Sequence, residues 1–334
     1  MRPKLSPSLD PVAAKPSSSV EAAQVDILLL GSGWTSSFLL PIAGQRGFST
    51  AFTTRDGRDG SLRFNFDPDS DSLEPFKVLP EASTVVVIFP LYDPRAIERL
   101  VKGYESTRSD EGLERQKRSN WILLGSTGIW DGGPTLSASL AHSHSPWINR
   151  NTPLPDNPPP RAITEQAFLA LSKSDNNLSA RPFHVSVLNL CGLWGHGRSP
   201  RRFVSVVASS KEALRNLSGV CLVHGRDVAR AIIAMHENYD RADGERWILT
   251  NGRNYDWWDL ASRWGDAGEQ GRDHPPTGPQ PKWVSELIQE THECAESCRA
   301  VLGLPRSVEQ MGSGLEGMDF WTTFDLTPDV PDVY

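Results

Sequence analysis

The 334-residue chain is short of cysteine: it has four, Cys191, Cys221, Cys294 and Cys298. Four cysteines are too few for a disulfide framework at this length and point to a reducing compartment. Long apolar runs are missing too. None approaches the roughly 20 residues that a membrane helix needs, and the first residues lack the apolar core of a secretory leader. The expectation is a cytoplasmic location and no membrane partner. There is no surplus of positive charge either. Lys and Arg number 34 against 41 Asp and Glu, a net charge of −7 with the signs interspersed. Nucleic-acid binding needs a basic face, so it is excluded as an expectation. Cys294 and Cys298 stand four apart with His292 nearby, yet two small apolar residues on one helix face account for them, and no metal is expected.

What the chain does have is alternation of apolar runs and helical patterns. Residues 1–22, rich in Pro and Ser, read as a disordered tail. A strand is expected at 25–30, a helix at 34–45, strands at 48–54 and 62–66, and a fully apolar strand at 84–89. Pro94 opens a helix that runs into the charged stretch to 118. Strands follow at 121–124, 183–190 and 246–250, with helices at 163–171, after Pro200, and at 227–236. Residues 131–160 and 265–282 read as loops, 283–302 as an amphipathic helix, and 327–334 as neither helix nor strand. Strands alternating with helices define an α/β chain, doubly wound around a parallel sheet. No internal repeat interrupts it.

The densest signal lies at 25–40, where an apolar strand runs into Gly31-Ser-Gly33-Trp-Thr-Ser36 and then into a helix. Glycines there let a backbone approach phosphates, and the helix N-terminus offers free N–H groups to an anion. The end of the second strand, which meets the adenosine ribose in such a fold, reads Thr53-Thr54-Arg55. An arginine there accepts the 2′-phosphate of NADP, whereas an acid would bind the 2′-hydroxyl of NAD. NADP is therefore favoured, with NAD left open by Asp56 and Asp59.

Five stretches occur in an order that resembles the extended short-chain dehydrogenase/reductases, in particular atypical members of the NAD-dependent epimerase/dehydratase type. They are the glycine turn, Thr53-Thr54-Arg55, Leu124-Gly-Ser-Thr-Gly128, Val187-Leu-Asn-Leu-Cys-Gly-Leu-Trp-Gly-His-Gly-Arg198 and Cys221-Leu-Val-His-Gly-Arg-Asp-Val-Ala-Arg-Ala-Ile232. The resemblance implies a seven-stranded parallel Rossmann sheet over 23–250, to which 191–225 adds part of a substrate lobe, and a small C-terminal lobe over 251–334. It implies that Gly31, Gly33, Trp34, Thr35 and Ser36 hold the pyrophosphate and that Thr54 and Arg55 meet the 2′-phosphate. Pro90, Leu91, Gly125, Leu190 and Cys191 would line the cofactor. Many relatives dimerise through a helical face, so a homodimer is among the expectations.

The family's catalytic signature, Tyr-x-x-x-Lys, is lacking. The five tyrosines are Tyr92, Tyr104, Tyr239, Tyr255 and Tyr334, and none is followed four residues later by lysine. Where that helix is expected, the chain has Arg161 and Glu165, an i,i+4 pair or a replacement for the dyad. The catalytic candidates are Ser126 and Thr127, with Asp131, His196 and His224 as alternatives. On the substrate side stand Trp130, Trp194, Arg198, Arg202 and His224, which suit a small anionic or aromatic molecule. Asp227 reads as a helix N-cap. Trp147 joins the cleft tryptophans, whereas Trp257, Trp258 and Trp264 read as packing. An oxidoreductase acting on a small carbonyl or hydroxyl is the first expectation. The alternative is a regulator or redox sensor that binds NADP without turnover.

Overall fold

The computed structural model describes residues 24–108, 118–131, 146–173, 183–266, 275–293 and 300–334. The tail 1–22, Cys294, Cys298 and residues 132–145 of the expected 131–160 loop lie outside the described residues, as does the side chain of Asp131.

The apolar runs become strands. In chain order they are β1 (Gln24–Leu30), β2 (Thr50–Thr54), β3 (Leu62–Arg63), β4 (Glu81–Val87), β5 (Asn120–Ser126), β6 (Trp147–Ile148), β7 (His184–Leu190), β8 (Gly192–Trp194), β9 (Gly219–His224), β10 (Arg246–Leu249), β11 (Asn254–Asp256) and β12 (Gly314–Leu315). The helices are α1 (Ser36–Gln45), α2 (Glu74–Lys77), α3 (Pro94–Ser106), α4 (Gly128–Asp131), α5 (Pro160–Ala170), α6 (Pro200–Val207), α7 (Lys211–Arg215), α8 (Gly225–Glu237), α9 (Trp257–Trp264), α10 (Gln280–Glu293), α11 (Val308–Met311) and α12 (Met318–Thr323).

Seven strands form one parallel sheet in the order β10-β7-β5-β4-β1-β2-β3. Successive side chains of a strand face opposite sides, so a strand covered on both faces must be apolar throughout. Along β1, Ile27 and Leu29 join Phe38 and Leu39 of α1 and Val228 and Ile232 of α8. Leu28 and Leu30 join Ile97, Leu100 and Val101 of α3 and Phe168 of α5 on the other side. The order reverses between β1 and β4, where a doubly wound sheet opens a crevice at its carboxyl edge.

α3 begins as its sequence implies, with Asp93 accepting from Arg95 N at 2.8 Å and Pro94 in the first turn. It ends at Ser106, well short of 118. Arg108 folds back to give its guanidinium to the carbonyls of Leu79 and Phe76, at 2.5 and 2.7 Å, which ties the helix end to α2.

A second lobe forms around β11-β9-β8, with α6, α7, α9 and α10 packed on it. Trp257, Trp258 and Trp264 are buried there with Val284 and Leu287, as packing residues. α10 starts earlier than the pattern suggests, because Trp283 N bonds to Pro279 O. Residues 300–302 are not helical. His292 Nε2 lies 2.9 Å from Val301 O, turning the chain back on α10. Among the described residues no helix is long and apolar enough to cross a membrane.

Candidate cofactor and active site

The glycine turn sits at the β1–β4 crevice. Gly31 has φ +101°, and a Cβ on it would come within 3.3 Å of the Phe89 ring, so the turn requires glycine. Its N–H donates to Thr53 Oγ1 at 2.8 Å, which fixes the end of β2 beside the turn. Thr53 is buried, and the sequence offered no sign of this role. Gly33 differs: a Cβ there would meet nothing within 4 Å, so the fold does not demand glycine, whereas a ligand pressed on the backbone would. α1 then begins without a side-chain cap at Thr35, while Ser36 Oγ donates to Gly33 O at 2.6 Å.

Arg55 follows β2, exposed and without an ion pair among the described residues. The nearby acids are engaged elsewhere. Arg58 lies 3.6 Å from Asp56 and 3.9 Å from Asp59. Thr54 Oγ1 accepts from Gly57 N and Arg58 N, so this side chain shapes the turn that presents Arg55. Pro90 and Leu91 follow β4 on the same edge, exposed and half-buried.

At the end of β5, Ser126 Oγ accepts from Gly128 N at 3.2 Å and its own N–H donates to Glu165 Oε1 at 3.2 Å. Glu165 is 1% exposed, under Gly125, and takes a second bond from Asn189 Nδ2 at 2.8 Å. Arg161 Nε and Arg246 Nη2 approach its two oxygens at 3.5 and 3.6 Å. Burial pushes the Glu165 carboxyl upward, opposed by Asn189 and the two arginines. The i,i+4 pair is therefore a buried ionic knot between α5, β5, β7 and β10. Arg161 also donates to Leu124 O at 2.8 Å. Thr127 is buried, and its N–H bonds to Leu190 O, which joins the ends of β5 and β7. Cys191, next to Leu190, is buried, and burial raises its thiol pKa.

Several expectations change. Trp130 is 1% exposed and its indole N–H donates to Thr152 O, so it packs the core and does not line a pocket. Trp147 is exposed in β6. Asp227 is not the cap of α8. That place belongs to His224, whose Nδ1 accepts from Arg226 N at 3.2 Å. His224 thereby caps α8 through Nδ1 and packs against Trp194 and Phe38 at 4.6 and 5.3 Å. Asp227, fully buried, instead accepts from Asp329 N and Val330 N at 2.7 and 3.0 Å, which pins the irregular last residues across the lobe. A cavity of about 350 Å³ is lined by Trp194, His196, Arg198, Arg201 and Val333. Arg201, and not Arg202, faces it.

Burial also lowers the pKa of His224 and of His236, which lies 2.7 Å from Thr84 Oγ1. Both folded values fall below the ordinary 6.5. The unfolded chain therefore takes up protons first, and stability is complete above about pH 6.5 and falls as the pH drops below it. A melting temperature that declines steadily from pH 7 to pH 5 is expected in thermal scans. A flat profile in the variant His224→Gln/His236→Asn would assign the decline to these rings, and an unchanged slope there would contradict it.

No family model matches the sequence, and no curated protein matches it in sequence. The fold is nonetheless shared with solved structures. Yeast methylglyoxal/isovaleraldehyde reductase Gre2, complexed with NADPH, aligns with a TM-score of 0.57 at 12% identity over 91% of this chain and 93% of that one. The human epimerase family protein SDR39U1 with NADPH gives 0.55 at 12% over 93% and 96%. MoeE5 in complex with UDP-glucose and NAD gives 0.51 at 16% over 91% and 93%. These likenesses establish the architecture as the Rossmann fold of such epimerases and reductases.

Proposed function

We propose that the protein is an NADP-binding oxidoreductase of the epimerase/dehydratase type, acting on a small carbonyl or hydroxyl compound without a Tyr-Lys dyad. The observation that carries the reading is the glycine turn at the sheet's reversal point with Arg55 beside it, exposed and without an ion pair among the described residues. The NAD or NADPH bound by the three similar structures supports it. Gly31, Gly33, Trp34, Thr35 and Ser36 would hold the diphosphate, and Arg55 the 2′-phosphate. The nicotinamide supplies hydride transfer. Ser126 would hold the substrate oxygen at the end of β5, with Glu165 fixing its backbone and Asn189 and Arg246 fixing Glu165. The cavity beside Trp194, with Arg198 and Arg201 on its wall, would admit an anionic or aromatic substrate in the lobe formed by 191–225 and 251–334.

A second reading, a cofactor-binding regulator without turnover, draws on the burial of Thr127 after β5 and of Glu165 in α5, which keeps both side chains from direct contact with a substrate. Titration of intrinsic tryptophan fluorescence with NADPH and NADH tests what both readings share, and no response to either would refute both. A panel of carbonyl compounds with NADPH, followed by nicotinamide absorbance, then separates them. Oxidation above the blank supports the enzyme, and saturable binding with a silent panel supports the regulator.

A further inference from the structure

We propose that Arg198, although it belongs to the second lobe, binds the diphosphate of the cofactor at the glycine turn. The inference rests on the cofactor reading above. Four contacts seat the turn 195–198 on Trp34 and the first turn of α1. The Trp34 indole N–H donates to Gly195 O at 2.8 Å. His196 Nδ1 lies 2.9 Å from Ser37 Oγ. The His196 ring stacks on Phe38 with centroids 3.8 Å apart. The Arg198 guanidinium lies 4.5 Å from the centre of the Trp34 ring. These partners stand some 160 residues apart in the chain, so the turn is docked across the two lobes.

The turn is built for that seat. Gly195, His196 and Gly197 have φ of +105°, +40° and +81°. The middle one is informative. A non-glycine residue in the left-handed region is disfavoured and persists where its surroundings over-determine it. Here Phe38 and Ser37 do so. Gly195 cannot be replaced, because a Cβ would strike the His224 ring and approach Phe38.

Docking brings a cation to a place that selects an anion. Trp34 follows Gly33 directly, and α1 begins there with no side-chain cap, so its N–H groups and dipole favour negative charge. Arg198 is exposed and makes no ion pair among the described residues, and no acid occurs in the sequence from Cys191 to Lys211. Stacking on the indole face steadies the guanidinium while leaving its N–H edge for phosphate oxygens, which it can bind in pairs. Arg198 thus closes the second lobe on the diphosphate, while Arg201, farther along the cavity wall, lies 5.0 Å from the Trp264 ring centre.

The test is calorimetric titration of the full chain with NADPH, NADH, ADP and adenosine 2′-monophosphate, for wild type, Arg198→Ala, Arg198→Lys and Arg55→Ala. Arg198→Ala should weaken NADPH, NADH and ADP about tenfold and leave adenosine 2′-monophosphate within twofold. Arg198→Lys, which keeps the charge, should recover part of the loss. Arg55→Ala should do the converse, weakening NADPH and adenosine 2′-monophosphate and sparing NADH and ADP. If wild type binds none of the four, the cofactor reading itself fails. If wild type binds and Arg198→Ala either holds ADP as tightly or loses adenosine 2′-monophosphate equally, the diphosphate assignment is overturned.

Discussion

Replacement of Arg306 by alanine is expected to lower the unfolding free energy by about 3–5 kcal/mol, the cost typical of leaving one member of a buried ion pair alone. Asp256 is fully buried and Arg306 is 7% exposed. The guanidinium gives Nε and Nη2 to Asp256, the closest approach being 2.8 Å. It also bonds to Leu217 O at 2.8 Å and lies 4.0 Å from the Trp258 ring centre. Asp256 in turn caps α9 through Trp258 N. Four segments of the second lobe therefore meet at this pair. Without Arg306, the carboxylate keeps only two backbone donors in a dry site. The double variant Asp256→Asn/Arg306→Met should lose clearly less than Arg306→Ala, because no lone charge remains. Urea unfolding measures both. A loss under 1 kcal/mol in Arg306→Ala would show that water reaches the site.

Replacement of Arg55 by alanine is expected to weaken NADPH about 10- to 100-fold and NADH less than twofold. A charge-assisted hydrogen bond contributes about 1.5–3 kcal/mol, and each 1.4 kcal/mol is a factor of ten. The selectivity follows from position. Arg55 is held out by a turn whose acids already face Arg58. The same substitution removes a net positive charge from the site, so the NADPH affinity of wild type should also fall more steeply with salt than that of Arg55→Ala. Equal losses for the two nucleotides would refute the 2′-phosphate assignment.

The strands and the glycine turn were legible in sequence because they are local. An apolar run of strand length, a turn that needs positive φ at Gly31, and a helix after it are encoded within some 16 residues. Short polar-flanked strands such as β8, β9 and β11 escaped, since their pairing depends on partners elsewhere in the chain. Trp130 was misread for a related reason. A tryptophan in a loop looks like a pocket wall until Thr152 O is found to satisfy its N–H and the core to cover its ring.

By itself, then, the sequence determined the alternating α/β pattern, the glycine turn and the Arg55 signal, all of which rest on periodicity and backbone conformation within single elements, whereas the strand order and its reversal point came from the fold. Tertiary structure alone decided which charges are free and which are bound. Glu165 became a buried knot, His224 a cap and Asp227 an anchor, while Arg198 came to rest on the glycine turn. The reason is physical: a side chain's charge, partners and access to water are set by docking across distances of up to about 160 residues, and no local pattern carries that information.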